Sequence, residues 1–137
     1  MDDRTLRQIL QVSHTIASVG LSSNPSKESY GVGQYLQSHG YRVVPVNPTA
    51  QEILGVKAYP DLRSVPYPID VVQVFRPSGD VPEIVEQSIQ VGAKVVWTQL
   101  NIINQPAAET ARQAGLQVVM DRCMRTEHLR LFGTPRA

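Results

Sequence analysis

The phrase Gly-x-x-Val-Val occurs three times in this chain, beginning at Gly40, Gly92 and Gly115. Each copy follows a segment with helical periodicity and leads into a β-branched run. A glycine that ends a helix adopts the left-handed conformation that other residues avoid, and Val-Val favours a strand. The phrase therefore predicts three helix-to-strand junctions, which restricts the chain to folds in which helices and strands alternate.

Five segments have strand character, and their starting points are evenly spaced. They begin near residues 15, 41, 69, 94 and 116, which leaves room for one helix in each crossover. Three of them contain nearly continuous apolar runs, which is typical of parallel strands that are covered on both faces. The pattern predicts an α/β, Rossmann-like, doubly wound fold whose five-stranded, mainly parallel sheet has helices on both faces.

Two further elements are expected from local patterns. Residues 3–11 have helical periodicity and should pack as an extra helix on the sheet. Residues 47–68 contain four prolines and should form a loop with one short helix around residues 51–54. A chain of 137 residues has the size of one domain, so residues 1–137 are expected to form a single unit.

The composition argues against several kinds of partner. The 13 Lys and Arg residues against 12 Asp and Glu residues leave a formal charge of +1, which gives no broad positive field for a nucleic acid. The start, Met1-Asp2-Asp3, has the wrong charge for a signal peptide, and the longest charge-free stretch, residues 8–26, is too polar for a membrane span. The single cysteine, Cys123, fits a reducing compartment. We expect a cytoplasmic protein that binds neither nucleic acids nor membranes.

Ligands of doubly wound sheets bind beside the carboxyl ends of the strands, so the residues that follow each strand are candidates. Residues 20–24, with Ser29, could aim backbone N–H groups and hydroxyls at a phosphate, although the Gly-x-Gly-x-x-Gly fingerprint is absent. Ser29 could instead cap a helix. Asn47 stands where a classical NAD domain has Asp or Glu; it could bond a ribose or an adenine edge, or form only a turn with Pro48.

The third and fourth strands are followed by further candidates. Arg76 is the best-placed cation for pairing with a phosphate, and Phe75 or Pro77 could cover an adenine or a pantetheine arm. The alternative is an exposed arginine beside a core phenylalanine. Gln99 could bond an amide-bearing ligand or satisfy the backbone.

The fifth strand is followed by a cluster of reactive and charged residues within eight positions: Asp121, Arg122, Cys123, Arg125, Glu127 and His128. Cys123 and His128 lie five positions apart, so on one helix they would point in different directions. One cysteine and three scattered histidines also cannot supply the ligands of a metal site. The spacing favours a structural Arg and Asp network that anchors the C-terminal segment.

Ordered motifs between residues 6 and 131 resemble those of the small single-domain CoA-binding protein family, which is related to the CoA-binding domain of the succinyl-CoA synthetase alpha subunit. The motifs stand at residues 15–22, 24–25, 29–30, 40–48, 53–55, 74–76, 92–97 and 119–123, with Glu127-His128 after them. The resemblance implies a Rossmann-like fold that binds coenzyme A or an acyl-CoA. A homodimer, or a partner subunit of an acyl-CoA enzyme, is the implied assembly.

The resemblance also implies roles for residues at matching positions. Residues 20–24 with Ser29 and Tyr30 would hold the pyrophosphate, residues 47–48 would border the adenosine, and residues 75–76 would line the nucleotide and pantetheine path. The complete set of candidate cofactor-binding residues is Gly20, Leu21, Ser22, Ser23, Asn24, Ser29, Tyr30, Asn47, Pro48, Phe75, Arg76 and Gln99.

We expect binding without intrinsic catalysis. The full ligase has a second domain with a phosphorylated histidine and a partner subunit for the nucleoside triphosphate, and 137 residues have room for neither. None of the three histidines lies in such a motif, and no Walker loop, nucleophile elbow or paired-carboxylate motif is present in the sequence.

Two alternative functions remain open on the sequence. An NAD(P)-binding oxidoreductase-like domain is favoured by the fold and opposed by Asn47 and the missing glycine fingerprint. A protein-interaction module with a vestigial nucleotide site is suggested by two departures from the family pattern: Gln73 replaces an expected acidic residue, and Asn101 replaces an expected glycine.

Overall fold

The computed structural model describes residues 1–133, which form five α-helices and seven strands. Two 3₁₀ turns, Leu62–Ser64 and Ser78–Asp80, lie between them. The elements in chain order are α1 (Asp3–Val12), β1 (Thr15–Val19), α2 (Glu28–Ser38), β2 (Arg42–Val46), β3 (Glu52–Ile53), β4 (Val56–Lys57), β5 (Val71–Val74), α3 (Val81–Gln90), β6 (Val95–Thr98), α4 (Gln105–Gln113), β7 (Gln117–Val119) and α5 (Met124–Phe132).

The main sheet has five strands in the order β2-β1-β5-β6-β7, and all of its strand pairs are parallel. The chain first winds outward from β1 to β2 and then returns to add β5, β6 and β7 on the other side of β1. The predicted doubly wound α/β fold is confirmed. The reversal of direction between β1 and β5 is the switch point beside which ligands of such sheets bind.

Each face of the sheet carries its own apolar core. Helices α1, α2 and α5 cover one face, where their side chains pack against Ile16, Val43 and Val71. Helices α3 and α4 cover the other face, where they pack against Ala17 and Val72. Successive strand residues point to opposite faces, so the continuous apolar runs in the sequence supply both cores.

The three helix-to-strand junctions take the predicted form. Gly40, Gly92 and Gly115 have φ values of 91°, 72° and 92°, and each stands just after the C-cap residue of a helix. Nothing lies within 4 Å of the place that a Cβ would occupy at any of them, so backbone conformation alone calls for glycine there.

The predicted short helix around residues 51–54 is wrong, because these residues form a small hairpin. Strands β3 and β4 pair antiparallel, and Leu54 and Gly55 make the turn with φ values of 56° and 74°. The Leu54 carbonyl accepts a hydrogen bond of 3.1 Å from the Gln37 side chain on α2. Tertiary contact with α2 therefore holds a turn conformation that an isolated leucine disfavours.

Helix α5 is tied to the start of the chain by the expected network of arginines and acids. Arg130 forms ion pairs of 2.8 Å with Asp3 on α1 and 2.7 Å with Glu127, and Arg122 also reaches Glu127 at 3.3 Å. Asp121 stands apart from this network, since it accepts the backbone N–H of Asn101 at 2.6 Å. Within residues 1–133, every helix is too short or too polar to cross a bilayer.

Candidate functional site

An open cleft of about 630 Å³ lies at the switch point, beside the carboxyl ends of β1, β2 and β5. Five of the residues singled out in the sequence line it: Gly20, Ser22, Asn47, Pro48 and Arg76. The cleft therefore joins the loops that follow three different strands, as the topology of a doubly wound sheet requires.

The loop between β1 and α2 is folded by its own side chains. The Ser29 hydroxyl accepts the Ser22 N–H at 3.0 Å, and the Ser22 hydroxyl in turn accepts the Asn24 N–H at 3.0 Å. Ser29 is the second residue of α2 and the cap position is Lys27, so the interpretation of Ser29 as the helix cap is wrong.

This arrangement leaves hydrogen-bond donors available in the loop and at the start of α2. The N–H groups of Ser23, Glu28 and Ser29 find no acceptor among residues 1–133. The Ser29 hydroxyl also keeps its proton, because it acts toward Ser22 as an acceptor. Free N–H groups at a helix N-terminus favour an anion through both hydrogen bonding and the helix dipole.

Gly20 brings the end of β1 close to the segment after β5. Its φ of 87° lies in the left-handed region, and its N–H donates to the Val46 carbonyl at 3.0 Å. A Cβ at this position would lie 2.9 Å from Cδ of Arg76 and 3.3 Å from the carbonyl carbon of Phe75. Glycine is therefore needed for Arg76 to pass across the mouth of the cleft.

Arg76 already has an acidic partner. Its guanidinium contacts Asp80 at 3.0 and 3.1 Å, and 53% of its side chain is exposed. Asp61 and Glu83 also line the cleft, so three carboxylates share it with Arg76. The Ser64 hydroxyl and N–H both donate to Asp61 and hold the pKa of that carboxyl below its ordinary value.

Both polar atoms of the Asn47 side chain form hydrogen bonds within the protein. Its oxygen accepts from the Thr49 N–H, the Thr49 hydroxyl and the Ala50 N–H at 2.9 to 3.2 Å. Its nitrogen donates to the Leu21 carbonyl at 3.1 Å. Asn47 thus makes the turn that the sequence left as an alternative and joins it to the first loop, while the exposed Pro48 forms the rim.

A second, smaller cavity of about 160 Å³ lies farther along the sheet, at the ends of β5 and β6. Ser29 connects the two spaces, since it lines this cavity and bonds to Ser22 in the cleft. Most of the other lining residues are apolar, and the complete set is Glu28, Ser29, Phe75, Gln99, Leu100, Ile102 and Cys123.

Gln99 ends a chain of buried polar side chains. The Ser18 hydroxyl donates to the Gln73 oxygen at 2.8 Å, and the Gln73 nitrogen donates to the Gln99 oxygen at 3.3 Å. That same oxygen accepts the Met124 N–H at 3.2 Å. The Gln99 nitrogen has no acceptor among residues 1–133, so Gln99 both satisfies the backbone and keeps one donor group.

The remaining candidates line neither space. Leu21 is fully buried and packs against Gly33, while Tyr30 packs on the core of the α2 face. Ser23 and Asn24 lie exposed on the loop. The N–H groups of Leu21 and Ser23 find no acceptor among residues 1–133.

Sequence reasoning missed the acids of the cleft and the cysteine of the small cavity. Asp80 had a detectable signal, because it lies four residues after Arg76 and such pairs can meet. Asp61 had no such signal in the sequence. A β-bridge between Tyr59 and Val46, at the end of β2, brings the segment that contains Asp61 to the cleft. In the described part of the chain, no cluster of three or more His, Cys, Asp or Glu residues could hold a metal ion.

Three comparisons place this geometry among known proteins. The uncharacterized protein YneT of Bacillus subtilis is 41% identical over 123 residues, which cover 90% of this chain and 91% of that protein. A solved hypothetical protein from Pyrococcus horikoshii OT3 is 45% identical, with a TM-score of 0.94 over 97% of this chain and 94% of the other.

A third relative is part of an enzyme. The alpha subunit of ADP-forming acetate–CoA ligase I from Pyrococcus furiosus is 27% identical over 121 residues, which cover 77% of this chain but only 26% of that subunit. The family model described as the CoA binding domain matches residues 14–129, which include both the cleft and the small cavity. The chain belongs to the CoA binding domain family.

Proposed function

We propose that this chain binds coenzyme A or an acyl-CoA, with the nucleotide in the cleft and the pantetheine arm directed to the small cavity. The observation that carries the proposal is a set of free backbone donors, the N–H groups of Ser23 in the loop before α2 and of Glu28 and Ser29 at its start. The same loop contributes Ser22 to the cleft that Arg76 lines. A pyrophosphate is the part of CoA that such donors suit.

The acids of the cleft suit the sugar rather than the phosphates. Asp61 stays ionised because Ser64 donates to it twice, so its carboxylate can accept hydrogen bonds from the hydroxyls of a ribose. The exposed ring of Pro48 offers an apolar surface to the adenine at the rim. The adenosine would thus lie between the turn after β2 and the segment around Asp61.

The small cavity suits the arm that follows the pyrophosphate. Its apolar residues, Phe75 and Ile102 among them, match the hydrocarbon part of pantetheine, and the free Gln99 nitrogen can donate to an amide carbonyl. Ser29 lies between the two spaces, as the connection between pyrophosphate and arm demands.

Two lines of similarity support a binding module without catalysis of its own. The family is described as a CoA binding domain, and this chain covers 91% of the Bacillus subtilis relative, so the domain also stands as a protein of about this length. The ligase alpha subunit, whose name includes a reaction, is matched over only 26% of its length. We extend the proposal to residues 1–137 as one binding domain that works as a homodimer or beside a partner subunit of an acyl-CoA enzyme.

The pair Arg76 and Asp80 gives the sharpest test, because the two residues act on the ligand in opposite directions. Arg76→Ala should weaken CoA binding about tenfold, as expected for loss of a half-exposed charged hydrogen-bond donor. Asp80→Asn should tighten binding several-fold, since it frees Arg76 and removes a carboxylate from the cleft. Isothermal titration calorimetry with CoA measures both.

The same titrations separate the alternatives. Binding of NAD in place of CoA would contradict the proposal and favour an oxidoreductase-like domain. Flat titrations with both ligands would favour a protein-interaction module with a vestigial site. Equal CoA affinity in the wild type and in both variants would remove Arg76 from the site.

A further inference from the structure

The small cavity contains the one thiol of the chain. Cys123 lines it at the position that precedes α5, and its side chain is 4% exposed. Phe75, Leu100 and Ile102 supply the apolar part of the wall around it. A buried thiol of this kind is shielded from bulk reagents, yet it adjoins a space that a ligand can fill.

A second polar group in the same wall points to a ligand. Gln99 is only 7% exposed. Its side-chain oxygen accepts the Met124 N–H, so its side-chain nitrogen points away from Met124. Among residues 1–133, only His39 has an enclosed side-chain polar atom without a partner, so the Gln99 nitrogen opens onto free space. The space that Gln99 lines is this cavity.

We infer that the cavity delivers the sulfur end of a CoA disulfide to Cys123 and that the two form a reversible mixed disulfide. The inference rests on the proposed function, because the nucleotide must first bind in the cleft. The Gln99 nitrogen then donates to an amide carbonyl of the arm, and the apolar wall guides the sulfur toward Cys123.

The reaction is a thiol–disulfide exchange. Cys123 loses its proton to solvent, and its thiolate attacks the CoA sulfur of a disulfide between CoA and a second thiol. A sulfur–sulfur bond forms between Cys123 and CoA while the original one breaks, and the second thiol leaves as a thiolate that takes up a proton. The disulfide of CoA is the only oxidant required, and a reducing thiol reverses the step.

The architecture makes the step selective. A disulfide without adenosine and pyrophosphate has no hold on the cleft and must reach a thiol that is 4% exposed. A disulfide of CoA is held beside Cys123 at a high effective concentration. Capture of CoA should therefore exceed capture of other small disulfides.

The test follows the intact mass of the reduced protein during incubation with CoA disulfide and, separately, with oxidised glutathione. We expect one CoA adduct on Cys123, formed at least about tenfold faster than the glutathione adduct, because binding raises the local concentration of the disulfide. Dithiothreitol should remove the adduct. Equal rates for the two disulfides, or an adduct elsewhere, would overturn the inference.

Two variants sharpen the result. Cys123→Ser should form no adduct, with folding checked by circular dichroism. Arg76→Ala lies outside the small cavity and should slow the CoA reaction while leaving the glutathione reaction unchanged. If calorimetry shows that the wild type binds CoA but the CoA adduct forms no faster than the glutathione adduct, the mixed-disulfide inference is wrong and the proposed function stands. If calorimetry shows no CoA binding, the proposed function is wrong and the mixed-disulfide inference is wrong with it.

Discussion

At the scale of single residues, the site depends on how closely Gly20 approaches Arg76. The backbone of Gly20 is left-handed, and the Arg76 stem occupies the space where a side chain would start. Position 20 therefore requires glycine for two reasons, the left-handed backbone and the closeness of the Arg76 side chain. They can be separated experimentally, because Gly115 has a similar φ of 92° and no neighbour within 4 Å of its virtual Cβ.

Gly20→Ala and Gly115→Ala should each lower the free energy of unfolding by about 1 to 2 kcal/mol, the general cost of a left-handed conformation for a residue with a Cβ. Only Gly20→Ala should also weaken CoA binding, several-fold, because the new methyl group displaces Arg76. Urea denaturation and calorimetry measure the two effects. Equal CoA affinities in the two variants would show that the approach of Arg76 is irrelevant to binding.

The two departures from the family pattern have structural explanations that the sequence alone could not supply. Gln73 is fully buried between Ser18 and Gln99, where an amide can accept from one and donate to the other. Asn101 has a φ of 68°, a conformation that asparagine tolerates better than most residues other than glycine. The hydrogen-bond partners come from different strands, so local sequence could not predict them.

At the scale of elements, helix α5 docks onto α2 through a group of rings. The Tyr35 hydroxyl lies 2.7 Å from Nδ1 of His128, and the His39 ring centroid lies 5.0 Å from that of His128. Tyr41 and Phe132 also pack against the His128 ring. Burial, and secondarily the neighbouring His39, hold the pKa of His128 below its ordinary value.

This pKa shift predicts a loss of stability in mild acid. The unfolded chain takes up the His128 proton before the folded chain does, so the contribution is complete above the unfolded pKa of 6.5 and declines as the pH falls below it. The free energy of unfolding of the wild type should therefore fall between about pH 7.5 and about pH 5.5, and His128→Gln should reduce the fall. Urea titrations of both proteins at the two pH values provide the comparison; an identical fall in both would contradict the assignment.

The strands and most helices follow from the sequence because their signals are local. The Gly-x-x-Val-Val phrase marks three of the strands of the main sheet, and the structure begins them at residues 42, 95 and 117. The sequence did not predict the hairpin at residues 52–57, because its turn depends on contacts between Leu54 and α2. A pattern over a few residues carries no information about a partner that is distant in the chain.

At the scale of the whole molecule, topology explains why the position of the cleft could be predicted better than the charges that line it. A switch point gathers the ends of β1, β2 and β5 at one edge, so residues after these strands meet there. Two acidic residues of the cleft lie on other parts of the chain: Asp61 on the long connection after β2, and Glu83 on α3. The sequence predicted Arg76 as a cation for a phosphate, whereas the structure gives that arginine an acidic partner.

The sharing of β1 between β2 and β5 has a kinetic consequence. In the native pairing β5 joins the sheet through β1 and β6, so we expect β1 to belong to the folding nucleus and the edge strand β7 to form late. Ile16→Val should then mainly slow refolding, and Val118→Ala should mainly accelerate unfolding. Stopped-flow rates against urea decide between this order and the reverse, in which β7 assembles first.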